Sequence, residues 1–137
     1  MTEIVFSVRF YRGTTVGQVS LGDGHTLRDL HDIIQEALGW DSNHLYEFIA
    51  KGTPRDPKRM VYSCEADREY AEEPGFLGFA EQTKISSLNL VQEQRFFYHF
   101  DYGENWYFEI SVARIGPALE TPAPKVLRRN KNMPAQY

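Results

Sequence analysis

At 137 residues and 42% apolar, the chain suits one domain that buries roughly two thirds of its unfolded surface, and no second domain is needed. Its formal charge of -4, from 15 basic and 19 acidic residues, argues against a dedicated nucleic-acid binder, because neutralising phosphate ordinarily takes a basic face. Cys64 is the only cysteine, which excludes an intramolecular disulfide and a cysteine-rich zinc site and fits a reducing compartment.

The opening MTEIVF has no basic segment followed by a long apolar run, so neither a signal peptide nor a membrane span is expected, and a cytoplasmic location is. Ile4, Phe6, Val8 and Phe10 alternate with Val5, Ser7, Arg9 and Tyr11, the period of a half-buried strand. Arg12, Gly13 and Thr14 then read as a turn, and Val16 to Leu21 as a second strand that closes a hairpin.

The strongest element follows. Thr26 suits an N-cap, with Asp29 three residues on to reach back to it, so a helix should start at Leu27. Leu27, Leu30, Ile33, Ile34, Ala37 and Leu38 recur at steps of three and four, which paints one apolar stripe to set against a sheet. Gly39 is the natural left-handed stop, and Trp40 beyond it can fold back onto Ile34. A third strand is expected from His44 to Ile49.

From Lys51 to Gln82, prolines, glycines and charges surround one short strand signal at Met60 to Cys64, so most of this stretch reads as loop. Its acids Glu65, Asp67, Glu69, Glu72 and Glu73 read as a solvated surface run rather than a metal site. Ile85, Leu88 and Leu90 suggest a short strand or a single helical turn. Arg95 to Val112 is an aromatic hairpin around Tyr102, Gly103 and Glu104. Setting Asp101 opposite Asn105 pairs Phe100 with Trp106, Tyr98 with Phe108 and Phe96 with Ile110, which makes one face apolar apart from a tyrosine hydroxyl. The other face carries Phe97, His99, Asp101, Asn105, Tyr107 and Glu109. Beyond Ile115, Pro117, Pro122, Pro124 and Pro134 argue against a long regular element, and 116–137 reads as an extended proline-rich tail. Lys125, Arg128, Arg129 and Lys131 against Glu120 give that tail a net +3, more in keeping with solubility or packed stems than with phosphate.

Seven residues are candidate ligand contacts: His31, His44, Glu47, His99, Asp101, Tyr107 and Glu109. His31 borders the apolar stripe, where a histidine ordinarily packs and hydrogen-bonds within the core. Glu47 shares a strand face with Leu45 and Ile49, and a buried carboxylate there needs a partner, whether an Arg, a Tyr hydroxyl, His31, or a bound cation or substrate. His99, Asp101 and Glu109 carry nitrogen and oxygen donors but no dedicated ligand spacing, so no metal and no cofactor is assigned. A shallow pocket over the His99 face is expected, roofed by the Lys51 to Gln82 insertion or by the tail. There is no G-x-S-x-G elbow, no P-loop, no G-x-G-x-x-G after a strand and no H-E-x-x-H, and Cys64 lacks the context of an activated thiolate.

The stretches TLRDLHDIIQEALGWDSNHLYEF, FFYHFDYGENWYFEISV and PKVLRRNKNMPAQY together resemble the plasmid pRiA-type ORF-three-like family, small proteins found on plasmids and as transposon passengers. The resemblance spans nearly the whole chain. It implies an α+β fold in which a bent sheet wraps one main helix, and it implies no established chemistry. The chain departs from that family in TTVGQVSL, which lacks the usual Trp and basic residues, and at Glu104, where Asp is usual.

The expectation is therefore a single α+β domain, a bent mixed or antiparallel sheet on one helix in β-β-α-β order followed by the aromatic hairpin, acting as a binding or accessory module. A protein partner or a homodimer suits such a module, nucleic acid through the basic tail is disfavoured, and no membrane is involved. The alternative is a metal-assisted hydrolase or nuclease in which His31, His44, Glu47, His99 and Asp101 converge.

Overall fold

The computed structural model describes residues 2–68, 71, 73–118, 120, 122–132 and 136. They form strands β1 (Thr2–Phe10), β2 (Thr15–Gly22), β3 (Tyr46–Lys51), β4 (Met60–Ser63), β5 (Phe76–Phe79), β6 (Arg95–Phe100), β7 (Trp106–Pro117) and β8 (Lys125–Arg129), with helix α1 (Leu27–Leu38) between β2 and β3. The strands make one sheet in the order β5-β4-β3-β6-β7-β1-β2-β8. Only β4 and β5 run parallel.

The helix begins and ends where its residues dictate. Thr26 Oγ1 accepts from the Asp29 N–H at 3.2 Å, and the Asp29 carboxylate accepts from the Thr26 N–H at 3.0 Å. Gly39 takes φ 71, and the N–H groups of Gly39 and Trp40 close on the Glu36 and Gln35 carbonyls. All six residues of the apolar stripe are buried and join a core with Phe6, Val19, Leu21, Phe48, Tyr98 and Phe108. Trp40 meets the rings of Phe10, Trp106 and Phe108, extending that core past the helix end.

The aromatic hairpin has the expected register, with Phe100 opposite Trp106, Tyr98 opposite Phe108 and Phe96 opposite Ile110. Other expectations need correction. The third strand starts at Tyr46 rather than His44, and the strand at Met60 stops at Ser63. Ile85–Leu88 is a 3-10 turn, the helical one of the two alternatives expected there. Phe76–Phe79 is a further strand, too short to announce itself between Gly75 and Ala80. Within 116–137, Lys125–Arg129 is strand β8, which pairs with β2, so the prolines bound an edge strand instead of preventing one. Pro134 lies outside the described residues, as do Glu69 and Glu72 of the acidic run.

The fold is α+β, with the sheet the larger part. Because α1 covers one side only, many side chains alternating away from it on β6, β7, β1 and β2 stay half-buried or exposed, among them Phe97, Tyr107, Ser111, Ser7 and Gln18, while Val5, Ser20 and His99 on the same side are buried. Among the described residues no helix is long and apolar enough to cross a membrane.

Candidate functional site

The two sides of the sheet divide the seven candidate residues. On the helix side, His31 is 2% exposed. It stacks flat on Tyr46, with centroids 3.8 Å apart. Its Nδ1 accepts from the Tyr98 hydroxyl, whose oxygen accepts from Gln35 Nε2 at 2.9 Å, so the single hydroxyl on the apolar face is satisfied. Burial, helped by the Arg28 charge, pushes His31 down to about 3, so the ring is neutral at physiological pH. One edge of His31 lines a cleft of about 400 Å³ together with Arg28, His44, Tyr46, Cys64 and Glu81. Burial pushes the Cys64 thiol up, the opposite of what a reactive thiolate needs.

On the far side, the pairing of β3 with β6 sets Glu47 opposite His99, and the pairing of β6 with β7 sets His99 opposite Tyr107. Glu47 is 1% exposed and His99 5%. His99 Nδ1–H donates to Glu47 Oε2 at 2.7 Å, and Nε2 lies at hydrogen-bond distance, 2.9 Å, from the side-chain amide of Asn105. The ring stacks with Tyr107 at 4.2 Å and with Tyr102 at 4.7 Å. Arg59, from the loop before β4, brings Nη2 to 3.7 Å from Glu47 Oε2. Glu47 is thus held between a guanidinium and an imidazole, and His31 is not its partner. Glu47 Oε1, Arg59 Nε and Ser63 Oγ, all buried atoms, have no hydrogen-bond partner among the described residues.

Asp101 and Glu109 do different work. Asp101 has φ 61, and its Oδ1 accepts from the N–H groups of Gly103 and Glu104 at 3.2 and 3.3 Å, which fixes the hairpin turn. Its Oδ2 lies 3.7 Å from His44 Nδ1. Glu109 sits between Arg9 at 3.4 Å and Arg95 at 3.7 Å. Those three residues and Ser111 line an open cavity of about 610 Å³ on the helix-free face. A second cavity of about 260 Å³ adjoins it, sharing Arg9 and Ser111 and reaching Arg128 on β8. Sequence reasoning missed Arg59 and Ser63 as site residues, placed Asn105 on the face without giving it a role, and left Arg128 to the basic tail. Arg9 did carry a signal, because it alternates with the apolar residues of β1.

His31, His44, Glu47, His99 and Asp101 therefore do not converge on one point. Among the described residues, no three His, Cys, Asp or Glu side chains are grouped to hold a metal ion.

These features define a one-helix α+β protein with an open polar sheet face. The chain belongs to the plasmid pRiA4b ORF-3-like protein family, whose model matches residues 17–136. It is 29% identical over 117 residues to the uncharacterized protein y4hQ of Sinorhizobium fredii, an alignment covering 80% of this chain and 52% of that one. The chain spans about half the length of that curated relative. Its fold is similar to that of the crystal structure of a protein of unknown function, MM3350, from Methanosarcina mazei Go1, with a TM-score of 0.60, 20% identity, and coverage of 91% of this chain and 67% of that one.

Proposed function

We propose that the chain is a binding module, with the helix-free face of the sheet as its recognition surface. The observation that carries this is the two adjoining cavities on that face, lined among the described residues by arginines, two carboxylates, hydroxyls and an amide. Polar groups on a rigid sheet recognise a ligand at low entropic cost, since strand pairing already fixes their spacing. An accessory role, in which the chain recognises something for machinery supplied by other proteins, belongs to the same proposal, as does a cytoplasmic location.

The metal-assisted hydrolase gains no support from the geometry, because His31 lies on the helix side while Glu47 and His99 lie on the other. Amide-resonance mapping of the full chain, titrated in turn with sugars, phosphates, nucleotides and short peptides, tests the binding reading. The expected shifts fall on residues of β1, β2, β6 and β7 that face away from α1. Shifts confined to the cleft beside His31 and His44 would overturn it.

A further inference from the structure

The smaller cavity on the open face has a composition at odds with the rest of the chain. In a protein of formal charge -4, its described lining holds two guanidiniums, from Arg9 and Arg128, three hydroxyls, from Ser7, Thr15 and Ser111, the amide of Gln18, and no carboxylate. The Arg128 side chain has no hydrogen bond or ion pair among the described residues. Gln18 Nε2 donates to Ser7 Oγ at 3.0 Å, which leaves the Ser7 O–H to donate elsewhere.

Arg128 is held there by the backbone. Strand β8 pairs Arg128 with Gln18 and Arg129 with Gly17. A Cβ at residue 17 would lie 2.0 Å from the Arg128 carbonyl oxygen, so only glycine lets β8 approach β2 this closely. Arg9 also meets Glu109 at 3.4 Å, so Arg128 is the cation of this lining with no carboxylate beside it among the described residues, and an anion in the cavity supplies that partner. A carboxylate would bring two acceptor oxygens to these donors, whereas a phosphoryl group offers three strong acceptor oxygens and matches the arginine fork.

We propose that this cavity binds the phosphoryl group of a small phosphate monoester, whose organic part lies in the adjoining cavity beside Arg95 and Glu109. This rests on the binding-module reading of the same face and names its ligand class.

The test is calorimetric and NMR titration of the full chain with ribose 5-phosphate, ribose, inorganic phosphate and oligo-deoxythymidine. Ribose 5-phosphate should bind and shift the amides of Gln18 and Ser111, and ribose should not. Arg128→Ala, at an exposed position on an edge strand, should weaken binding by roughly tenfold or more, with only part of the loss recovered in Arg128→Lys. Should Arg128→Ala detach β8, Arg9→Gln reads the same loss from a different strand. Equal binding of ribose and its phosphate overturns the proposal, as does unchanged affinity in both arginine variants. Tighter binding of the oligonucleotide than of the monoester also overturns it, in favour of a polymer ligand. If a ligand without phosphate shifts the same face instead, the phosphate assignment fails and the open-face reading stands.

Discussion

Glu47 and His99 are each tolerable only because of the other. Replacing His99 by Ala would leave a buried carboxylate with Arg59 alone, and the expected cost is about 3 to 5 kcal/mol in urea unfolding. Converting both residues to Leu should cost less than His99→Ala alone, since it removes the buried carboxylate together with its hydrogen-bond partner. Glu109→Ala should cost about 0 to 1 kcal/mol, because the arginines it meets are half or more exposed. The alternating pattern of β6 and β7 puts His99 and Glu109 on one face, and by that pattern both look equally available to a ligand. What separates them is the 52-residue step from Glu47 to His99, which no local spacing encodes. His31 gives a pH dependence of definite sign. Its folded value, about 3, lies below the ordinary histidine value of 6.5, so it costs nothing above pH 6.5 and destabilises progressively as pH falls from there toward 3, where the unfolded chain takes the proton. The loss should be on the order of a few kcal/mol, read as the difference between wild type and His31→Phe over that window. A constant difference would show that the ring is not buried neutral.

At the scale of elements, the helix was wholly legible because every signal that sets it is local: the Thr26 box, the stripe and the Gly39 stop. Ile34→Ala should cost about 2 to 5 kcal/mol, since the residue is fully buried between helix and sheet. Thr26→Ala should cost about 1 kcal/mol through loss of the cap. Thermal unfolding measures both, and a loss below about 0.5 kcal/mol for Ile34→Ala would mean that the stripe faces solvent. Strands β5 and β8 were illegible for the opposite reason. FLGF and KVLRR carry too few alternating positions to signal a face, and each exists because a neighbour supplies a pairing edge. For β8 that edge depends on Gly17, a residue that read only as one more position in a strand.

The whole molecule separates its chemistry by layer, with a neutral histidine and a tyrosine network under the helix and arginines on the uncovered side. That separation depends on which strands are neighbours, and so composition and net charge conceal it. The short β5 and the Lys and Arg side chains of β8 guard the sheet edges against pairing with another chain. The place of β1, between β2 and β7, also bears on how fast the chain folds. The turn to β2 is local, but Arg9 and Glu109 are 100 positions apart, so the central seam of the sheet closes only after a long loop has been ordered. Refolding in roughly the millisecond-to-second range is expected for so much non-local pairing. In stopped-flow measurements, Val8→Ala on the central seam should slow refolding, whereas Val126→Ala on β8 should mainly speed unfolding. The opposite pattern would mean that β8 docks before the seam closes, and that the C-terminal strand leads assembly.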